Sequence, residues 1–357
     1  MKKIVRSILA SVVAFCLATM GSAVLAVENG RPEQGALENM LPAILGVPSE
    51  FGIDAQNIEQ LYLGDALMVY EKTGSDIEAL QAKVYPVFLE GQIKGMFTET
   101  VNISGEKNYT YGVEFAPELQ KYINEYTNVL ALVYCEDNVY AVSSNYPVVC
   151  LSDGEKDAID IFPLQVEDVY GQAVTPLYKL SAVQHARAAE TKTLPIPYVS
   201  QRGPTCWAAC IASVVNYLTG TSLQTYQVVV TCQPNAPAAG ASAAKVAGYL
   251  TNNYNLSSYS SNGPVQYENL YWQINANRPM LFSGYRNQSG SSSLDDNGRH
   301  MVAVYGYYKN LSTEVAQFYY MEPNTGFKVG TFSNSGAPQF QINANQTYTQ
   351  DRYVTIR

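Results

Sequence analysis

Histidine is almost missing from this chain. There are two in 357 residues, His185 and His300, and tryptophan is equally rare. A site built on clustered imidazoles is therefore excluded, and chemistry that needs one imidazole as a base has a nearly forced choice. Basic residues are sparse as well. The 22 Lys and Arg stand against 31 Asp and Glu, for a formal net charge of −9. Nothing gathers them into a stripe, which speaks against nucleic acid as a partner. Beyond the N-terminus no segment is long and apolar enough to predict a membrane span. Phosphate-cradling glycine loops and paired-carboxylate glycosidase signatures are not evident either.

The N-terminus is the exception to this even polarity. Lys2, Lys3 and Arg6 precede an apolar core over residues 8–20, and Val24-Leu25-Ala26 forms a small-residue cleavage site. That order predicts a secretory signal over residues 1–26, with no cysteine at the cleavage point for lipid attachment. The expectation is an exported, extracellular, soluble protein. Cys16 leaves with the signal, and Cys135, Cys150, Cys206, Cys210 and Cys232 remain. An odd number of cysteines in an oxidising compartment suggests a free reactive thiol. If Cys206 is that thiol, Cys135 can pair with Cys150 and Cys210 with Cys232; simple buried thiols fit the sequence equally well.

Charge divides the chain in two. Residues 27–192 carry 25 acidic and 10 basic side chains, whereas residues 193–357 carry 6 and 9. An acidic half facing a mildly basic one predicts attraction between them, unless the acid serves only solubility. Over 27–181 the pattern reads as an α+β module. One or two short helices up to residue 53 precede strands at 66–71, 84–89, 93–101 and 109–115, a helix at 117–126, and strands at 129–135, 139–143 and 148–151. Glu90-Gly91-Gln92 and Glu136-Asp137-Asn138 read as hairpin turns, so the sheet is expected to be antiparallel. Residues 182–194 are small and polar and read as a linker, in which Arg187 and Lys192 invite proteolytic nicking and His185 is a solvated bystander. From 195 to 357 the order is helices first (206–218, 241–250, 267–277), with a helix or strand at 223–231 and a loop at 257–263. Strands follow at 280–284, 300–308, 316–321, 326–332 and 348–356.

Gln201 to Leu218, QRGPTCWAACIASVVNYL, is the stretch with chemistry in it. A turn at Arg202-Gly203-Pro204 leads into Cys206, and Trp207, Ile211, Val214, Val215 and Leu218 then recur at helical spacing, which predicts a helix with one buried face. Thr205 reads as its N-cap, placing Cys206 in the first turn, where the helix dipole and unpaired N–H groups favour thiolate. The side-chain amide of Gln201 lies within reach as a donor. Together these suggest acyl transfer through a thioester.

The Gln–turn–Cys-Trp-Ala-Ala arrangement resembles the nucleophile segment of papain-like cysteine peptidases, nearest their compact bacterial branch of staphopain-like and bacteriocin-leader-peptidase-like enzymes. The resemblance covers roughly the last 160 residues of the sequence and implies a papain-like catalytic domain over 195–357, without cofactor or metal, acting on protein or peptide substrates. His300, in GRHMVAVYGYY, matches the family's histidine segment, a His opening a strand that ends in Gly and aromatics. The family places Asp or Asn before a proline on the next strand; here Glu322 precedes Pro323, with Asn324 as the other candidate to orient the imidazole. Gln201 would help form the oxyanion hole. The 27–181 module would be a pro-domain that covers and inhibits the cleft and is cut away in the linker. Trp207 and the glycine-rich 287–297 loop are candidate cleft walls, core packing being the other role for Trp207. The same acyl-enzyme captured by an amine would make a transglutaminase or deamidase, and a degenerate domain would be a binding module. A zinc site of Cys206, Cys210, Cys232 and His300 lacks usable spacing.

Overall fold

A computed structural model of the chain describes residues 32–152, 176–179, 189–286 and 299–357, apart from breaks at 54–55, 75, 103–104, 127–130, 136–137, 144–145, 237–238, 312–314, 334–335 and 344–345. The signal segment with Cys16, the 182–188 part of the linker with His185 and Arg187, and the 287–297 loop lie outside the described residues.

Two proline-led helices open the structure, α1 (Pro32–Leu45) and α2 (Pro48–Phe51). Proline suits the first helical turn, where its φ is already set and no N–H is needed. Strands β1 (Leu61–Gly64), β2 (Leu67–Thr73), β3 (Asp76–Leu89), β4 (Gln92–Val101) and β5 (Lys107–Gly112) follow. Glu90 and Gly91 join β3 to β4 at φ of 54° and 76°, the left-handed pair that a two-residue hairpin requires. Helix α3 (Ala116–Tyr126) lays Leu119 and Tyr122 over this sheet, against Leu67, Val84 and Met96. Strands β6 (Ala131–Cys135), β7 (Asn138–Ser143), β8 (Tyr146–Cys150) and β9 (Pro176–Lys179) complete the N-terminal half. The sheet is not purely antiparallel as expected: β6 runs parallel to β2, Met68 opposite Ala131 through Lys72 opposite Cys135. The crossover through β3–β5 and α3 is long enough to bring the chain back in the same direction.

The C-terminal half begins inside the supposed linker. Residues 189–193 form β10 (Ala189–Thr193), which pairs with the far end of β13 (Arg299–Asn310), so the linker expected to reach residue 194 is sheet from 189. The buried apolar backing of β13 holds this polar edge strand, and Lys192, an expected nicking site, reaches the carbonyl of Asn275 at 3.0 Å. Three helices follow, α4 (Cys206–Thr219), α5 (Thr225–Cys232) and α6 (Ala243–Tyr254). Next come β11 (Ser258–Asn262), α7 (Tyr267–Asn275), β12 (Met280–Arg286), β14 (Ala316–Glu322), β15 (Gly326–Phe332), β16 (Pro338–Asn343) and β17 (Gln346–Ile356). The 257–263 loop is therefore also a strand, an edge strand along β17. Strands β12 to β17 pair in sequence order, and β17 returns to β12, closing a ring.

The two halves share one sheet and one core. β16 takes only Thr331 and Phe332 of β15, and β5 pairs with Lys328 and Val329 beside it. Leu37, Leu41, Ile44 and Phe51 from the N-terminal helices lie in the same buried cluster as Ile211, Tyr305 and Tyr319. Tyr319 donates its hydroxyl to Ala43 O at 2.8 Å. All five described cysteines are thiols, so neither expected disulfide is present. Cys210 instead donates to Met301 O at 3.3 Å. No helix among the described residues is long and apolar enough to cross a membrane.

Candidate active site

Cys206 is the first residue of α4, a helix buried on every side from Trp207 to Asn216 rather than on one face. Its apolar residues run all round because α5 and α6 pack on it as well as β13. Trp207 belongs to this packing and is 1% exposed, with its ring on Tyr249 and its N–H on Ala239 O at 3.2 Å. Thr205 sits at the N-cap position, but its hydroxyl donates to Arg202 O at 2.9 Å and gives the helix no side-chain cap. The first turn thus keeps its N–H groups for other acceptors. One of them, from Trp207, goes to the Cys206 sulfur.

His300 lies near the start of β13, 5% exposed, with its ring against Tyr348 and Phe340. Its Nε2 is 2.7 Å from Oε1 of Glu322, which is fully buried at the end of β14. With Nε2 engaged, Nδ1 is left to meet Cys206, and the two side chains are hydrogen-bonded. Burial alone would push the Cys206 thiol up; the His300 charge, the His300 hydrogen bond and N–H groups of Met301 and Trp207 outweigh it and bring the thiol below its ordinary range. Burial lowers His300, but the Cys206 charge and bond, then Glu322, lift it from 6.5 to about 10. The pair therefore favours thiolate and imidazolium together.

Glu322 is held from behind by its own turn. Its Oε2 accepts from Asn324 N at 2.8 Å, Thr325 N at 2.6 Å and Thr325 Oγ1 at 2.7 Å. Glu322 and Gly326 are opposite one another across the β14–β15 hairpin, and Gly326 adopts a φ of 99° that few other residues take. Of the two sequence candidates, then, Glu322 faces the imidazole. Asn324 is exposed and contributes only its backbone N–H. The longer Glu reaches His300 because it folds back over the turn. Thr325 was not foreseen; its signal was its place in a Glu-Pro-Asn-Thr turn, where Ser and Thr commonly bind a nearby acceptor.

Gln201 is positioned by its backbone, which donates to Pro323 O at 3.0 Å and ties the segment before Cys206 to the Glu322 turn. Its side-chain amide donates to Gly203 O at 3.0 Å, not towards the thiol as expected. The short Arg202-Gly203-Pro204 turn brings that carbonyl closest. Its Oε1 is buried without a partner. His185 and the 287–297 loop fall outside the described residues.

The fold thus brings together a thiol heading a buried helix, an imidazole near the start of a strand of the facing sheet and a carboxylate on the next strand. Residues 193–352, just under half of the chain, match the model described as Peptidase_C39 like family, a likeness that supports a papain-like cysteine peptidase in this part of the chain. No curated protein matches the chain. Among solved structures, the chain is similar to one described as a C39-like peptidase from Bacillus anthracis, at 13% identity and a TM-score of 0.33, over 47% of this chain and 98% of that one. It is also similar to UfSP from C.elegans, at 10% identity and a TM-score of 0.29, over 50% of this chain and 36% of that one. The family match, not these distant likenesses, carries the assignment.

Proposed function

We propose that the chain is a cysteine endopeptidase in which Cys206, His300 and Glu322 act as the triad. The observation that carries this reading is the unbroken contact from Cys206 through His300 to a fully buried Glu322. The Cys206 thiolate adds to the peptide carbonyl, and the carbonyl electron pair moves onto oxygen. As that tetrahedral species collapses, the C–N bond breaks and the imidazolium gives its Nδ1 proton to the leaving amine. Neutral His300 then takes a proton from water, which attacks the thioester and releases the acid and the thiolate. Gln201, turning its amide from Gly203 to the carbonyl oxygen, completes the oxyanion hole, an effect of about 3 kcal/mol for one such donor.

The N-terminal sequence supports export of a chain that begins at Val27, which N-terminal sequencing of the exported protein would check. The shared β5–β15 pairing favours an N-terminal half that stays with the peptidase rather than a cover that leaves it. The direct test compares the purified chain with Cys206→Ala on casein. Cleavage by the parent alone supports the reading. Incorporation of an amine probe without cleavage would turn it to acyl transfer, and equal silence of both proteins would overturn it.

A further inference from the structure

Behind Glu322 a second charge is buried. Lys328, on β15, is 1% exposed and donates to Ile342 O at 2.6 Å. The same carbonyl is 2.9 Å from Thr325 Oγ1, whose other acceptor is Glu322 Oε2. A hydroxyl has one proton, so the ammonium on Ile342 leaves that proton to the carboxylate. The counter-ion of Lys328 comes from the other half of the molecule: Glu114, 9% exposed, is ion-paired to it. The pairing of Gly112 with Lys328 across β5–β15 sets this contact. A Cβ on Gly112 would stand 3.2 Å from Lys328 Cγ, so glycine leaves the side chain its path.

We propose that Glu114 is a positioning residue for the triad: by holding the Lys328 ammonium it keeps that cation from neutralising Glu322, and so keeps Glu322 on His300. The proposal rests on the reading of Cys206, His300 and Glu322 as the catalytic groups. Burial raises the Glu114 carboxyl, the Lys328 charge and hydrogen bond lower it, and the Glu322 charge raises it, so Glu114 and Lys328 offset one another beside the site. Without the carboxylate, a buried cation faces Glu322, and the imidazolium loses part of its support. The other titratable groups around the His300–Glu322 pair are Cys206 and Cys210 on α4, Tyr320 on β14 and Tyr348 on β17. None of them is a cation that would replace Lys328. The N-terminal half thereby completes the peptidase instead of inhibiting it.

The test follows the pH dependence of iodoacetamide alkylation, which reports the Cys206 thiolate, beside casein hydrolysis and thermal unfolding. In Glu114→Gln the uncompensated ammonium favours the deprotonated forms of both groups, so the acid limb of alkylation should move down by up to about one pH unit, making alkylation on that limb as much as about tenfold faster. The alkaline limb of hydrolysis should move down. Glu114→Gln/Lys328→Met removes both charges and should return the limbs to those of the parent, which a merely structural role for Glu114 would not produce. Glu114→Asp, drawn back by one methylene, should move them the same way by less, and it decides the matter where the Gln variant does not fold. Limbs unmoved in the folded single variants, or a double variant displaced like the single, overturn the proposal. A parent thiol no more reactive than an ordinary cysteine would overturn the catalytic reading instead.

Discussion

At the scale of single residues, the site turns on which protonation state His300 holds. Hydrolysis needs thiolate and imidazolium at once. Cys206 is lowered from 9.0 and His300 raised from 6.5 to about 10, so both forms coexist across neutral pH. Activity should fall on the acid side as pH drops through the lowered Cys206 value, and on the alkaline side only as pH approaches about 10. Glu322→Gln removes one of the charges that raise His300. It should lower kcat/KM roughly 10- to 100-fold, in line with removal of carboxylates that orient histidines elsewhere, and draw the alkaline limb back towards neutrality. A rate profile that drops in height with both limbs in place would show that Glu322 acts only in packing. Much of this was legible in the sequence. Two histidines left little choice of base, and the turn before Cys206 marked the helix start. The hydroxyl of Thr205 and the amide of Gln201 were not, because each found a nearer carbonyl within its own turn. Choices among acceptors a few ångströms apart depend on the folded geometry and leave no trace in spacing.

At the scale of elements, strong periodicity was readable and weak polarity was not. The β3–β4 hairpin announced itself through Glu90-Gly91 between apolar runs, and the run from Met301 to Tyr308 through its unbroken apolar character. β11, with the sequence Ser-Tyr-Ser-Ser-Asn, and β10, Ala-Glu-Thr-Lys-Thr, look like loops because they are edge strands whose side chains face water on one side. Only their neighbours make them strands. For β10 the neighbour is β13, and the closeness of that contact depends on Gly306. The register of β13 shifts between Val304 and Gly306, where β14 follows the bend. A Cβ at Gly306 would lie 2.7 Å from Lys192 O and 2.8 Å from Thr193 Cγ2. Gly306→Ala should therefore destabilise the protein by about 1–3 kcal/mol, the usual cost of overpacking. It should also expose the bond after Lys192 to trypsin. Thermal unfolding and the site of the first tryptic cut check the two effects, and an unchanged melting temperature would mean that β10 holds on by other contacts.

At the scale of the whole molecule, the question is whether the acidic half is a removable cover or part of the enzyme. The charge asymmetry in the sequence suggested attraction between the halves, and among the described residues both ion pairs between them run from an acidic N-terminal residue to a basic C-terminal one. Glu71 meets Arg286 at 2.9 Å, and Glu114 meets Lys328. The attraction is only part of the bond. Tyr305 donates to Glu50, Tyr319 donates to Ala43 O, and Thr110 and Thr100 bond to Gln341. None of this was legible, because pairing between strands more than two hundred positions apart leaves no local pattern. Separating the halves would strip the β15 edge of β5, uncover the apolar side of α1 and take from Lys328 both its counter-ion and its β5 cover. A specific protease site placed in 182–188 should therefore be cut without releasing either piece. The two fragments should co-elute at the size of the intact chain, part only in denaturant, and keep the parent's activity on casein. If the 189–357 piece elutes alone and cleaves casein faster than the uncut chain, the N-terminal half is a removable inhibitor after all. Salt separates the contributions within the bond. At high ionic strength the half-buried Glu71–Arg286 pair is screened more than the buried pairing and core, so a cut complex that survives salt is held by its sheet and core.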